Sequence, residues 1–108
     1  MDTSAAPITF IPDLRAGAVA APDGLGHSTA LSAPGVRVVV LTFAAGHVLT
    51  EHRAPKPLLM QTLDGCLRVT AGGRVTDLVP GALLRIDESL QHEVEALEES
   101  RLMLTLIG

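Results

Sequence analysis

The apolar positions of this chain fall in short runs of period two, cut at close intervals by glycine and proline. Val36–Ala45, VRVVVLTFAA, is the strongest run: β-branched, almost continuous and apolar on both faces, as a strand covered on both sides should be. Gly46 ends it. His27–Ala33 precedes it as a weaker strand, closed by Pro34-Gly35. Further on, Leu58–Leu63 stops at Asp64-Gly65, and Cys66–Ala71 and Arg74–Val79 flank Gly72-Gly73. Two glycines between alternating runs predict a hairpin, because primed turns need positive φ. Pro80-Gly81 turns the chain into Ala82–Ile86. Gln91–Ala96 has helical propensity, yet His92, Val94 and Ala96 alternate, and a run this short among strands is read as a strand. Arg101–Ile107, RLMLTLI, closes the series. Short strands with frequent turns and no convincing helix predict an antiparallel sandwich or barrel. Residues 1–26, rich in Ala, Pro, Gly and Asp, read as an irregular arm with one strand candidate, Ile8–Ile11, added to a sheet edge or to a neighbouring subunit; residues 27–108 make the barrel.

A chain of 108 residues is one domain by length. Hydrophobic residues at 47% decide against disorder, and with Phe10 and Phe43 the only aromatics the core must be aliphatic. Net charge is −4 and Lys56 is the only lysine. No basic cluster tracks a phosphate backbone, so neither nucleic acid nor an anionic membrane is expected as a partner. The uncharged stretch Val38–Thr50 is too short to cross a bilayer, and MDTSAAPITF lacks the basic and apolar regions of a signal peptide. Cys66 is the only cysteine, which fits a reducing cytoplasm, the expected location.

Two stretches carry candidate chemistry: Gly46–Gly65, GHVLTEHRAPKPLLMQTLDG, and Gly81–His92, GALLRIDESLQH. They resemble the two motifs of the cupin superfamily, G(X)5HXH(X)3,4E(X)6G and G(X)5PXG(X)2H(X)3N. Gly46, His52 and Gly65 match the first, with Ala54 at its second histidine and Leu58 at its glutamate. Gly81 and His92 match the second, with Asp87 at its proline, Ser89 at its glycine and Ala96 at its asparagine. The resemblance covers roughly residues 36–107 and is to the short, single-domain bacterial cupins. It implies an all-β fold, a small cupin barrel of the double-stranded β-helix or jelly-roll type. Metal-binding cupins use three histidines and a glutamate; here only His52 and His92 remain.

Alternate strand residues share a face, so His52 goes with Ala54, and Leu58 with Met60 and Thr62. The resemblance puts that face inside the barrel, with His92 opposite. A small, largely apolar molecule is then expected among His52, Ala54, Leu58, Met60, Thr62, Leu84, His92 and Phe43. The leading reading is a binding module. The alternatives are a metal-dependent enzyme of oxygenase type with an incomplete ligand set, and a metal-free isomerase with His52 or His92 as base. No cofactor and no tight metal are expected; a divalent ion, if held, sits weakly at His52 and His92. His47 and Glu51 differ in parity from His52 and read as surface residues, unless a bulge turns either inward. Asp87 and Glu88 read as a charged loop or as partners that orient an imidazole. Cys66 reads as structural and Gln61 as a subunit-interface residue. Apolar side chains on both faces of Val36–Phe43 and Leu102–Ile107 predict a homodimer.

Overall fold

The computed structural model describes residues 7–108, the side chains of Glu51 and His52 excepted. Its strands are β1 (Leu25–Ala33), β2 (Val36–Phe43), β3 (Val48–His52), β4 (Leu58–Asp64), β5 (Leu67–Ala71), β6 (Arg74–Leu78), β7 (Leu84–Ile86), β8 (His92–Ala96) and β9 (Ser100–Ile107). All pairings are antiparallel, in a five-stranded sheet ordered β1-β2-β9-β4-β7 and a four-stranded sheet ordered β3-β8-β5-β6. Gly72 and Gly73, at φ 58° and 74°, make the β5–β6 turn that their sequence context predicts. Gln91–Ala96 resolves as the strand β8, because its alternation buries His92, Val94 and Ala96 against β5.

Register sorts the inner face of the larger sheet into transverse rows. One row is His27–Leu41–Leu102–Thr62, the next Thr29–Val39–Leu104–Met60–Leu84, and the next Arg37–Leu106–Leu58–Ile86. Opposed residues of an antiparallel pair share a face, so each row packs as a unit. The second sheet contributes Leu67, Val69, Leu78, Val94 and Ala96 from the other side. Thr62 is the one polar member of the first row's buried part, and its hydroxyl donates to the Leu78 carbonyl at 2.8 Å, linking the two sheets.

The arm departs from expectation. Residues 8–11 form no strand, and Ile8 and Phe10 stand 82% and 80% exposed. Pro12 and the flanking irregular residues give this run no edge to extend. A later part of the arm packs instead. Ala18 is buried, and its carbonyl accepts from Arg101 Nε and Nη2 at 3.2 and 3.1 Å. Arg101 Nη1 also donates to Asp64 at 3.0 Å. Gly26 is required below: a Cβ there would collide with the Val19 carbonyl. Gly26, Thr42, Arg101 and Asp64 form one row of the sheet's outer face. The outer side of β2 at Val40 and Thr42 is therefore buried within one chain. R101Q is expected to cost about 2 kcal/mol, the range for a charge-assisted hydrogen bond. Tryptic cleavage after Arg15 should accelerate in the variant, and an unchanged cleavage rate would contradict this clamp.

Candidate functional site

Where the rows of the larger sheet meet β3, the two sheets leave a cavity of about 360 Å³ open to solvent. Its floor is aliphatic, with Val39, Leu41, Leu58, Leu104 and Leu106 from the larger sheet and Leu49 from β3. Ala54 and Pro55, in the turn after β3, form one wall; Leu25 closes another. Both strands that border the opening are irregular there. Register shifts between Thr29 and Leu31 in β1, and between Leu49 and His52 in β3. Such bulges interrupt the ladder locally and bend the strand.

The residues named from sequence divide into three places. Ala54 and Leu58 line the cavity. Phe43, Met60 and Thr62 lie beneath it in the closed core, each less than 5% exposed, and Leu84 is half-buried against that core. The cavity takes only part of each row: Val39 and Leu104 line it in the row of Met60, and Leu41 in the row of Thr62. His92 is 1% exposed and borders a separate recess of about 470 Å³, between the β5–β6 hairpin and residues 90–92. His52 is its Cα partner across β3–β8, while the side chain of His52 lies outside the described residues.

The tautomer of His92 follows from its contact. Nδ1 lies 2.9 Å from the Leu90 carbonyl, which can only accept, so Nδ1 carries the proton. In the neutral ring Nε2 is then the unprotonated, accepting nitrogen. Asp87 does not orient this ring; its carboxylate pairs with Arg85 at 2.7 Å, and Glu88 is exposed. His47 is remote. Its carbonyl accepts from Ala96, at the far end of β8 from His92, so roughly 13 Å of strand separates them. The His47 ring packs edge-on to Phe43, with ring centres 6.0 Å apart, and covers Gly24. Cys66 is half-buried, its amide donating to Ser100 Oγ. Among the described residues, no three of His, Cys, Asp and Glu gather as a metal-ligand set. The two motif positions that would complete one are Ala54 and Leu58, neither with a donor atom, so the residues described do not fit a resident metal.

Three residues at the opening have no counterpart among those named from sequence. His27, Arg37 and Arg53 all border the cavity and all are exposed. Arg37 Nη2 donates to Thr29 Oγ1 at 3.2 Å. Arg53 donates to the Ser89 carbonyl at 2.8 Å and to Gln91 Oε1 at 3.2 Å. The turn holding Ser89 is itself anchored, since the Ser89 amide donates to the Ala54 carbonyl. Ser89 has φ 61°, the one positive-φ residue other than glycine among the described residues. This explains the glycine of the cupin motif at the matching position: the turn needs a left-handed residue.

A two-sheet antiparallel jelly roll with an aliphatic cavity between its sheets defines a small β-barrel fold. That fold is the cupin fold, as the two glycine–histidine stretches imply. The structure is similar to an RmlC-like cupin protein from Desulfovibrio desulfuricans, with TM-score 0.80 and 21% identity over 93% of this chain and 96% of that one. It is also similar to a conserved protein of unknown function from Streptococcus pyogenes, with TM-score 0.78 and 16% identity over 93% and 88% of the two chains. KdgF from Halomonas sp. aligns with TM-score 0.73 and 22% identity over 78% and 80%. No family model and no curated protein matches the sequence. At these identities the likeness is one of fold. Among the described residues no helix is long and apolar enough to cross a membrane.

Proposed function

We propose that this chain is a binding module for a compact, largely apolar small molecule. The observation that carries the reading is the aliphatic cavity of about 360 Å³ between the two sheets. Its volume falls in the range of small-ligand pockets, and a few polar groups stand only at its rim. Burial of an apolar body there gains on the order of 25 cal/mol per Å² removed from water. The uncharged probe 2-naphthalenemethanol tests this directly by its own fluorescence, since the chain has no Trp or Tyr to interfere. Binding in the micromolar to low millimolar range is expected. Ala54→Phe, which places a ring in the cavity from a half-buried turn position, should weaken it at least about tenfold with the fold retained. Binding that is indifferent to Ala54→Phe would place the probe elsewhere and defeat the reading.

The chain is also proposed to form a homodimer, now on the strength of the arm rather than of β2. Ile8 and Phe10 are large apolar side chains left open by the chain's own packing. Light scattering at micromolar concentration should give twice the chain mass; a monomer mass would contradict it.

A further inference from the structure

The cavity's rim is cationic on a protein of net charge −4, and the charge sits where the inner face would otherwise be apolar. Arg37 is the only charged residue of β2, VRVVVLTF, and shares inward parity with Val39, Leu41 and Phe43, all buried. An arginine at the end of such a row is not a solvated outer residue; it caps the floor formed by its row partners Leu106 and Leu58. His27 stands on the same inner face, paired with Leu41. Arg53 approaches from the opposite sheet, after β3, and stands between this cavity and the recess beside His92, bordering both.

What these arginines pair with is as informative as where they stand. Arg15, Arg68, Arg85 and Arg101 each pair with an aspartate, at 2.7 to 3.1 Å. Arg37 and Arg53 do not: among the described residues their partners are a threonine hydroxyl, a backbone carbonyl and a glutamine oxygen. Neutral acceptors fix a guanidinium without cancelling its charge. A guanidinium has five N–H donors, and the hydrogen bonds found use one of them on Arg37 and two on Arg53. Two oriented guanidiniums above an aliphatic floor suit one oxyanion head on an apolar body, through charge-assisted bonds that an alcohol or amide cannot match.

We infer that the cavity takes a compact carboxylic acid, its aliphatic or aromatic body on the leucine floor and its carboxylate between Arg37 and Arg53. This rests on the binding-module reading and narrows it to a ligand class. A multiply charged phosphate ester is disfavoured, because its body would have to be apolar and the rim offers no glycine-rich loop or helix terminus for a phosphate.

The test compares 2-naphthoate with 2-naphthalenemethanol, two probes with one apolar body and different heads. At low salt the carboxylate should bind at least about tenfold more tightly, and 0.5 M salt should shrink that ratio, since the rim is exposed. R37Q and R53Q should each lower the ratio at least about threefold. R74Q, an exposed change of the same charge that borders no cavity, should leave it as it was. Equal affinities for the two probes in the parent chain, or a ratio that R74Q lowers as much as R37Q and R53Q do, would overturn the carboxylate while leaving the apolar cavity intact. Failure of both probes to bind at 1 mM would overturn the cavity reading, and the carboxylate with it.

Discussion

Gly65→Ala is expected to cost roughly 3 kcal/mol or more and to lower Tm by well over 10 °C. Two effects add at this position. Gly65 has φ 86°, where an L side chain costs about 1–2 kcal/mol. Its missing Cβ also faces backbone: an alanine methyl would collide with the Glu99 carbonyl, with Ser100 Cα and with Ser100 Oγ. None of these is the free end of a flexible chain. Ser100 is fully buried, and its hydroxyl accepts from the Cys66 amide at 3.0 Å and lies 2.7 Å from the Glu98 carbonyl. Relief of the collision would break this junction of the β4–β5 turn with the start of β9. Gly73→Ala separates the two effects. Its φ is 74° and nothing lies within 4 Å of the position a Cβ would take, so it should show the backbone cost alone, about 1–2 kcal/mol. Chemical denaturation of both variants checks this. Equal losses would mean that close approach at Gly65 contributes nothing.

That glycine also shows what could be read from the chain before its fold was known. Gly65 stands out as the end of a strand and as the last glycine of a cupin-like motif, but the sequence contains no sign that Ser100 packs against it from 35 residues away. Most strands were legible where alternation met a breaker, as at Gly72-Gly73 and Pro80-Gly81, but β3, whose VLTEH alternates weakly, was not among the runs read as strands. Depth was not legible. Met60 and Leu58 share parity and have equivalent cross-strand partners, Leu104 and Leu106, yet Leu58 lines the cavity and Met60 does not. Arg37 could have been found: it is the one charged residue on the inward parity of an otherwise apolar strand. Arg53 could not, since its position at the rim depends on the Ser89 turn, 36 residues further on. In the arm, Ile8–Ile11 has the propensity of a strand and forms none within this chain, while the packed part is the weakly patterned segment around Ala18.

The chain is expected to hold no transition metal tightly, and the pair of substitutions Ala54→His with Leu58→Glu is expected to create such a site. Catalytic zinc typically has three protein ligands and an open position, and non-haem iron commonly has two histidines and a carboxylate. Position 54 stands at the cavity wall and position 58 on its floor, so both can present a donor to one ion. His52 and His92 are Cα partners across β3–β8, and the cupin-like motifs set them with positions 54 and 58. Leu58 is 2% exposed, so a lone glutamate there should destabilise the apo fold by several kcal/mol or take up a proton. A dication would offset that carboxylate, which makes stability the readout. Zinc at about 100 times its dissociation constant adds roughly 2.7 kcal/mol to the folded state. For a domain of this size that corresponds to a rise in Tm on the order of 10–20 °C. The parent chain should move by no more than a degree or two under the same zinc, and by the same small amount under nickel. His92→Ala in the double variant should remove the gain, because it deletes one of the two motif imidazoles. Near-stoichiometric metal in the parent, purified without a metal resin and dialysed against a mild chelator, would reverse the conclusion. It would mean that other donors complete the set, and the metal-dependent enzyme would become the leading reading.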